Sequence, residues 1–149
     1  MKAAALEAFF QRQGPQSTLW FDKTCINACV EREAAQAIAT LPISVGECDR
    51  VLVVMDATYL SRLWCVWELQ SVFTFCIKEL AVERIALLSV GGGVRRERFE
   101  NWSLDSSHCF DPNEEFKLRQ LVHDIGEERF TESVRNLGAC EIFRLGAAQ

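Results

Sequence analysis

The stretch Arg50-Val51-Leu52-Val53-Val54-Met55, closed by Asp56-Ala57-Thr58, decides the fold class. A continuous apolar run that ends on a turn-forming acid is the pattern of a strand covered on both faces. Such strands belong to parallel sheets, and Arg84 to Val90 supplies a second run of the same kind. Between them, Arg62 to Leu80 carries Leu63, Trp64, Val66, Trp67, Leu69, Val72, Phe73, Phe75 and Ile77. That spacing predicts one long helix, apolar nearly all round and therefore mostly buried.

Working outward, Val30, Ala34, Ile38 and Leu41 fall at helical spacing over Ala28 to Leu41, with Pro42 expected to stop the run. Thr18-Leu19-Trp20-Phe21 predicts a short strand closed by Asp22-Lys23, and Lys2 to Gln13 a short helix ended by Gly14-Pro15. Beyond Gly91-Gly92-Gly93, the stretch Val94 to Cys109 is polar and expected to be irregular. Asp111 as N-cap, Pro112 at the first helical position and Glu114 three residues after the cap then start a helix. It carries Phe116, Leu121, Val122 and Ile125; a further turn or two follows over Glu127 to Leu137, and Cys140 to Leu145 suits a last strand.

Alternating strands and helices predict one α/β domain over residues 1–149, a flavodoxin-like parallel sheet with helices on both faces. In that arrangement the spatial order is 2-1-3-4-5 and ligands bind at the carboxyl ends of the strands. The chain opens on a helix with no strand before it, so the expectation is a domain lacking its first strand and incomplete at its N-terminus.

Composition narrows the function classes. The chain has 149 residues, 49% of them apolar, with ten Phe and four Trp, enough bulk to exclude disorder. Sixteen Lys+Arg against 21 Asp+Glu leave a net charge of −5, which argues against nucleic acid as a partner. No apolar run is long enough to span a bilayer, and Lys2 and Glu7 interrupt the start of the chain too early for a signal peptide. The expected setting is cytoplasmic. Seven scattered cysteines, an odd count, suit reduced thiols. Cys25-x3-Cys29 and His108-Cys109 lack a second pair at zinc spacing, so no metal is expected.

At about 100° per residue, Ser61, Trp64, Cys65 and Glu68 fall in one stripe of the predicted helix. A carboxylate, a hydroxyl, a thiol and an aromatic plane then face one region near the carboxyl edge of a strand. Geometry alone leaves a second reading open, a buried helix whose one acid reaches solvent or pairs with an arginine.

An apolar strand, then Tyr59-x-Ser61, then Trp64-Cys65-x-x-Glu68-Leu69, resembles the signature of Toll/interleukin-1 receptor (TIR) domains, particularly of the plant and protist type. Leu19 to Asn27 resembles that family's second strand running into its long second loop, and Leu41-Pro42 with Cys48 to Val54 resembles the approach to its third strand. The resemblance covers roughly residues 2 to 90. It implies a self-associating intracellular signalling domain of the innate-immunity kind, with Asp22, Lys23, Cys25, Ile26 and Asn27 as the interaction loop. It implies also that Glu68 is the catalytic residue of an NAD⁺ glycohydrolase, with Ser61, Trp64 and Cys65 matching substrate-site positions. NAD⁺ is then the substrate and no cofactor is needed. A catalytically silent TIR interaction module is the alternative. The second loop lacks the Arg-Asp-x-x-Pro-Gly pattern of animal receptors, and Trp67 stands where the family often carries a polar residue.

One carboxylate suits that chemistry. Expelling neutral nicotinamide from a cationic centre needs no strong general acid, and an anion held nearby stabilises the oxocarbenium character that develops on the ribose. Other motifs carry less. Asp56 and Ser89 sit where a receiver domain keeps its phospho-acceptor and hydroxyl, but the partnering acidic pair and lysine are missing. Gly91-Gly92-Gly93 with Arg95 and Arg96 lacks the spacing of a phosphate loop. The acids between Asp111 and Glu115 read as helix capping, and His123 as a surface residue.

Overall fold

The computed structural model describes residues 2–12, 18–20, 31–75, 78–91 and 95–140. Helices α1 (Lys2–Phe10) and α2 (Glu31–Glu47) precede strand β1 (Val51–Met55) and a 3-10 turn over Tyr59–Ser61. Helices α3 (Leu63–Phe75) and α4 (Lys78–Arg84) lead to strand β2 (Ile85–Ser89). The short α5 (Arg96–Glu100), a 3-10 turn at Leu104–Ser106, α6 (Pro112–Ile125) and α7 (Glu127–Leu137) complete the described residues.

β1 and β2 pair in parallel, in a register running from Val51 opposite Ile85 to Met55 opposite Ser89. Among the described residues the fold is therefore mixed α/β around a two-stranded parallel sheet. Val53 and Met55 are fully buried, and Val51, Leu52 and Val54 half-buried, so both faces of β1 are at least partly covered. Leu63, Val66, Leu69 and Val72 of α3 lie in the same core, with Leu118 and Val122 of α6 and Phe130 and Val134 of α7.

Three elements depart from the sequence expectation. Pro42 lies inside α2 instead of ending it. A proline inside a helix costs about 3 kcal/mol through its missing amide and ring clash. Here Ile38, Leu41 and Val45, spaced along one face across the proline, are all buried, and that burial offsets the defect. Arg84 then closes the helix end, its Nη2 donating to the carbonyls of Val45 (2.7 Å), Gly46 (3.1 Å) and Cys48. The long helix expected over Arg62 to Leu80 is described as α3, which starts at Leu63, and α4, which runs on to Arg84, with residues 76–77 between them outside the described residues. Arg62 is excluded from α3 because it is extended (φ −103°, ψ 105°) and bridges in parallel to His108.

The stretch expected to be irregular is also more ordered, over its described residues 95–109, than its polarity suggests. Phe99, Trp102 and Leu104 are buried and pin α5 and the following turn to the core. Trp102 Nε1 reaches the Leu60 carbonyl (3.1 Å) and Ser107 Oγ (2.8 Å), and Ser107 Oγ donates to the same carbonyl at 2.5 Å. At the end of α7, a Cβ on Gly138 would lie 2.6 Å from Phe99 Cβ, so only glycine permits this approach.

Thr18–Trp20 carry no strand pairing among the described residues, although Trp20 packs against the core. Phe21 and the last predicted strand beyond Cys140 lie outside the described residues. Asp111 caps α6 as expected, its side chain accepting from the Asn113 amide at 2.8 Å.

Candidate functional site

The turn after β1 is built on Asp56. Its Oδ1 accepts from the Thr58 amide (2.9 Å) and hydroxyl (2.7 Å) and lies 3.6 Å from Arg62 Nη2. This side-chain turn tightens the exit from the strand and sets up the 3-10 turn before α3. Ser61 belongs to that turn, not to the helix; it is exposed and its hydroxyl donates to the Thr58 carbonyl at 2.8 Å. The stripe expected from helical spacing therefore begins at Trp64.

On α3, Trp64 and Glu68 are one turn apart and bonded, the indole Nε1–H donating to Glu68 Oε1 at 3.1 Å. Both side chains are half-buried, as is Cys65 between them. Beneath them the buried Tyr59 donates its hydroxyl to the Cys65 carbonyl at 3.1 Å. Burial, then the proximity of Cys65 and Glu68, raises the Tyr59 pKa well above its ordinary value, while Arg62 acts in the opposite sense. Tyr59 therefore stays a neutral phenol that donates to the start of α3. The structure thus gathers Trp64, Cys65 and Glu68 over Tyr59 and leaves Ser61 in the turn beside them.

A second group braces this helix start from outside. The Leu63 amide donates to the His108 carbonyl and the His108 amide to the Ser61 carbonyl, both at 3.0 Å. Glu115 fixes the bracing strand: one oxygen accepts from the Cys109 amide at 2.9 Å, the other from Arg119 Nε at 2.9 Å, with His108 Nδ1 at 3.2 Å. The Cys109 amide and Arg119 together hold the Glu115 carboxyl down to about 2. Glu115 is thus a clamp as well as an acid of the first helical turn, while Asp111 supplies the side-chain cap. Burial, then Glu114, pushes the Cys109 thiol up to about 11 against a hydrogen bond from the Trp64 backbone, so Cys109 is a protonated thiol and no nucleophile.

Sequence spacing could have exposed part of this clamp, since Glu115 and Arg119 stand at an ion-pairing interval on one helix. Tyr59 and Cys109 had no such signal, because burial in the folded chain, the main cause of each raised pKa, is not set by local spacing. Asp22, Lys23, Cys25, Ile26 and Asn27 lie outside the described residues, as does Cys29. Among the described residues, no three His, Cys, Asp or Glu side chains are placed to hold a metal ion. No described helix is long and apolar enough to cross a membrane.

No known protein family, curated protein or solved structure matches the chain. The resemblance to TIR domains accordingly rests on the quoted residues alone.

Proposed function

We propose that this chain is a TIR-like cytoplasmic signalling domain, flavodoxin-like in its full sheet, that self-associates and cleaves NAD⁺ at the nicotinamide–ribose bond. The observation that supports it most is the half-buried Glu68 carboxylate, oriented by the Trp64 indole over a fully buried Tyr59. In the proposed step the C1′–N bond breaks and nicotinamide departs with the bonding pair. Water then adds to C1′ and releases a proton, giving ADP-ribose or, if a ribosyl-side group adds instead, a cyclic product. Glu68 stabilises the cationic ribosyl centre, and the Trp64 ring walls that side.

A silent TIR interaction module is the second reading. The Trp64–Glu68 bond accounts for the carboxylate as a helix lock, and Phe110 and Phe116 stand exposed beside α6, where a partner could cover them.

Nicotinamide release by the purified protein at high concentration separates the two. Glu68→Gln retains shape and hydrogen-bonding reach and should lower the rate by about 10²–10³. Glu83→Gln, at an exposed position of α4, serves as the control and should stay within about twofold. No turnover by folded parent protein, or turnover that survives Glu68→Gln, favours the interaction module.

A further inference from the structure

On another side of α3, Trp67 and Thr74 line a cavity of about 470 Å³ together with Arg129, Phe130 and Ser133 of α7. At about 100° per residue, that side of α3 is turned by roughly a quarter of the circumference from the one bearing Trp64 and Glu68. The cavity is separate from the proposed catalytic site, and its volume falls in the range of small-molecule sites, about 300–1,000 Å³.

The hydroxyls of the lining are already engaged. Ser71 Oγ donates to the Trp67 carbonyl at 2.8 Å and Thr74 Oγ1 to the Gln70 carbonyl at 2.9 Å, both within α3. Ser133 Oγ accepts from Gln70 Nε2 at 2.6 Å, which ties the two helices together. The Trp67 ring stacks on Phe130 at 6.0 Å and 24°, and Pro42, Phe73 and Ile125 extend the apolar lining.

Arg129 is the exception. Among the described residues it is the one charged side chain that lines the cavity; it is exposed, and it makes neither an ion pair nor a hydrogen bond. Acids outnumber bases by 21 to 16 in this chain, yet Glu128 and Glu132, which flank Arg129 on α7, neither line the cavity nor pair with it. Arg129 and Ser133 stand one turn apart on the same side of α7. Helical side chains lean toward the helix N-terminus, so the Arg129 stem runs along the cavity rim toward the Gly126 end of α7.

We infer that this cavity binds a small monocarboxylate with an aromatic or branched aliphatic body. The body occupies the apolar space beside Trp67 and Phe130, and the carboxylate pairs with the Arg129 guanidinium, whose forked donors match its two oxygens. The charge selects the ligand: a cavity lined by one arginine and no acid favours an anion over its neutral isostere and repels an amine. This inference stands apart from catalysis by Glu68, because it is read by binding alone.

The test titrates the folded chain with phenylacetate, phenylacetamide and phenethylamine, following the Thr74 and Ser133 amide resonances in a ¹H–¹⁵N spectrum. Phenylacetate should shift both saturably and bind about three- to tenfold more tightly than phenylacetamide, the selectivity carried by one partly exposed charged pair. Arg129→Gln, at an exposed position that leaves the core intact, should bring phenylacetate down to the level of phenylacetamide. Arg95→Gln, which removes an equal charge just before α5, should leave the preference in place. Equal binding of phenylacetate and phenylacetamide, phenethylamine binding as tightly as phenylacetate, a preference that survives Arg129→Gln or is lost equally in Arg95→Gln, or unmoved Thr74 and Ser133 resonances would each overturn the assignment.

Discussion

The Trp64 indole donates to the Glu68 carboxylate across one turn of α3, with 3.1 Å between Nε1 and Oε1. This bond fixes which way the acid points. Removing the donor while keeping the ring, in Trp64→Phe, leaves Glu68 charged but without the indole hydrogen bond that orients it. Nicotinamide release should then fall about tenfold, the equivalent of one hydrogen bond to a charged group. A lowered stability with an unchanged rate would assign the bond to helix structure alone.

The Glu115 clamp predicts a pH dependence. Its carboxyl falls from 4.5 to about 2 in the folded chain, so the unfolded state takes up the proton first. The stabilisation is fully present above pH 4.5 and is lost as pH falls toward 2. Glu115→Gln should flatten the unfolding midpoint in that window relative to the parent. Glu115→Ala, which also strips the Cys109 amide of its acceptor, should cost about 1–3 kcal/mol at neutral pH in denaturant unfolding.

Cys109 should resist alkylation. With its pKa at about 11, roughly one molecule in a thousand carries the thiolate at pH 8. Iodoacetamide labelling read by peptide mass spectrometry should find Cys109 modified far more slowly than an ordinary exposed thiol. Rapid labelling of the native protein at pH 8 would contradict the placement of this side chain.

Gly138→Ala should destabilise the fold. The added methyl would meet Phe99 Cβ at 2.6 Å, against a ring that is fully buried. Overpacking of this kind costs about 1–3 kcal/mol, measurable as a lower denaturant midpoint with an unchanged slope. Gly46→Ala meets nothing within 4 Å and provides the comparison.

What could be read from the sequence was local. The apolar runs at Val51–Met55 and Ile85–Ser89 identified two strands and their parallel pairing, and Asp111-Pro112 located the start of α6. Pro42 misled because proline reports a backbone cost, whereas the burial of Leu41 and Val45 that offsets it is tertiary. The site was legible to the same degree. Helical spacing brought Trp64 to Glu68, but it also drew Ser61 into the helix, since nothing near Ser61 announces the bridge between Arg62 and His108. The buried Phe99, Trp102 and Leu104 were hidden in a polar stretch, where apolar residues obey no helical or strand period.

That bridge has a consequence for how the molecule comes to exist. Ser107 bonds back to the Leu60 carbonyl across 47 residues, and Trp102 to the same oxygen across 42. Contacts of such long range are entropically late, because a long loop must close before they are rewarded. As the nascent chain emerges from the ribosome, β1 and α3 are made well before the segment that braces them. The surroundings of Glu68 are therefore among the last parts of the described chain to settle, and a chain released early, before Glu115, would carry the acid without the brace.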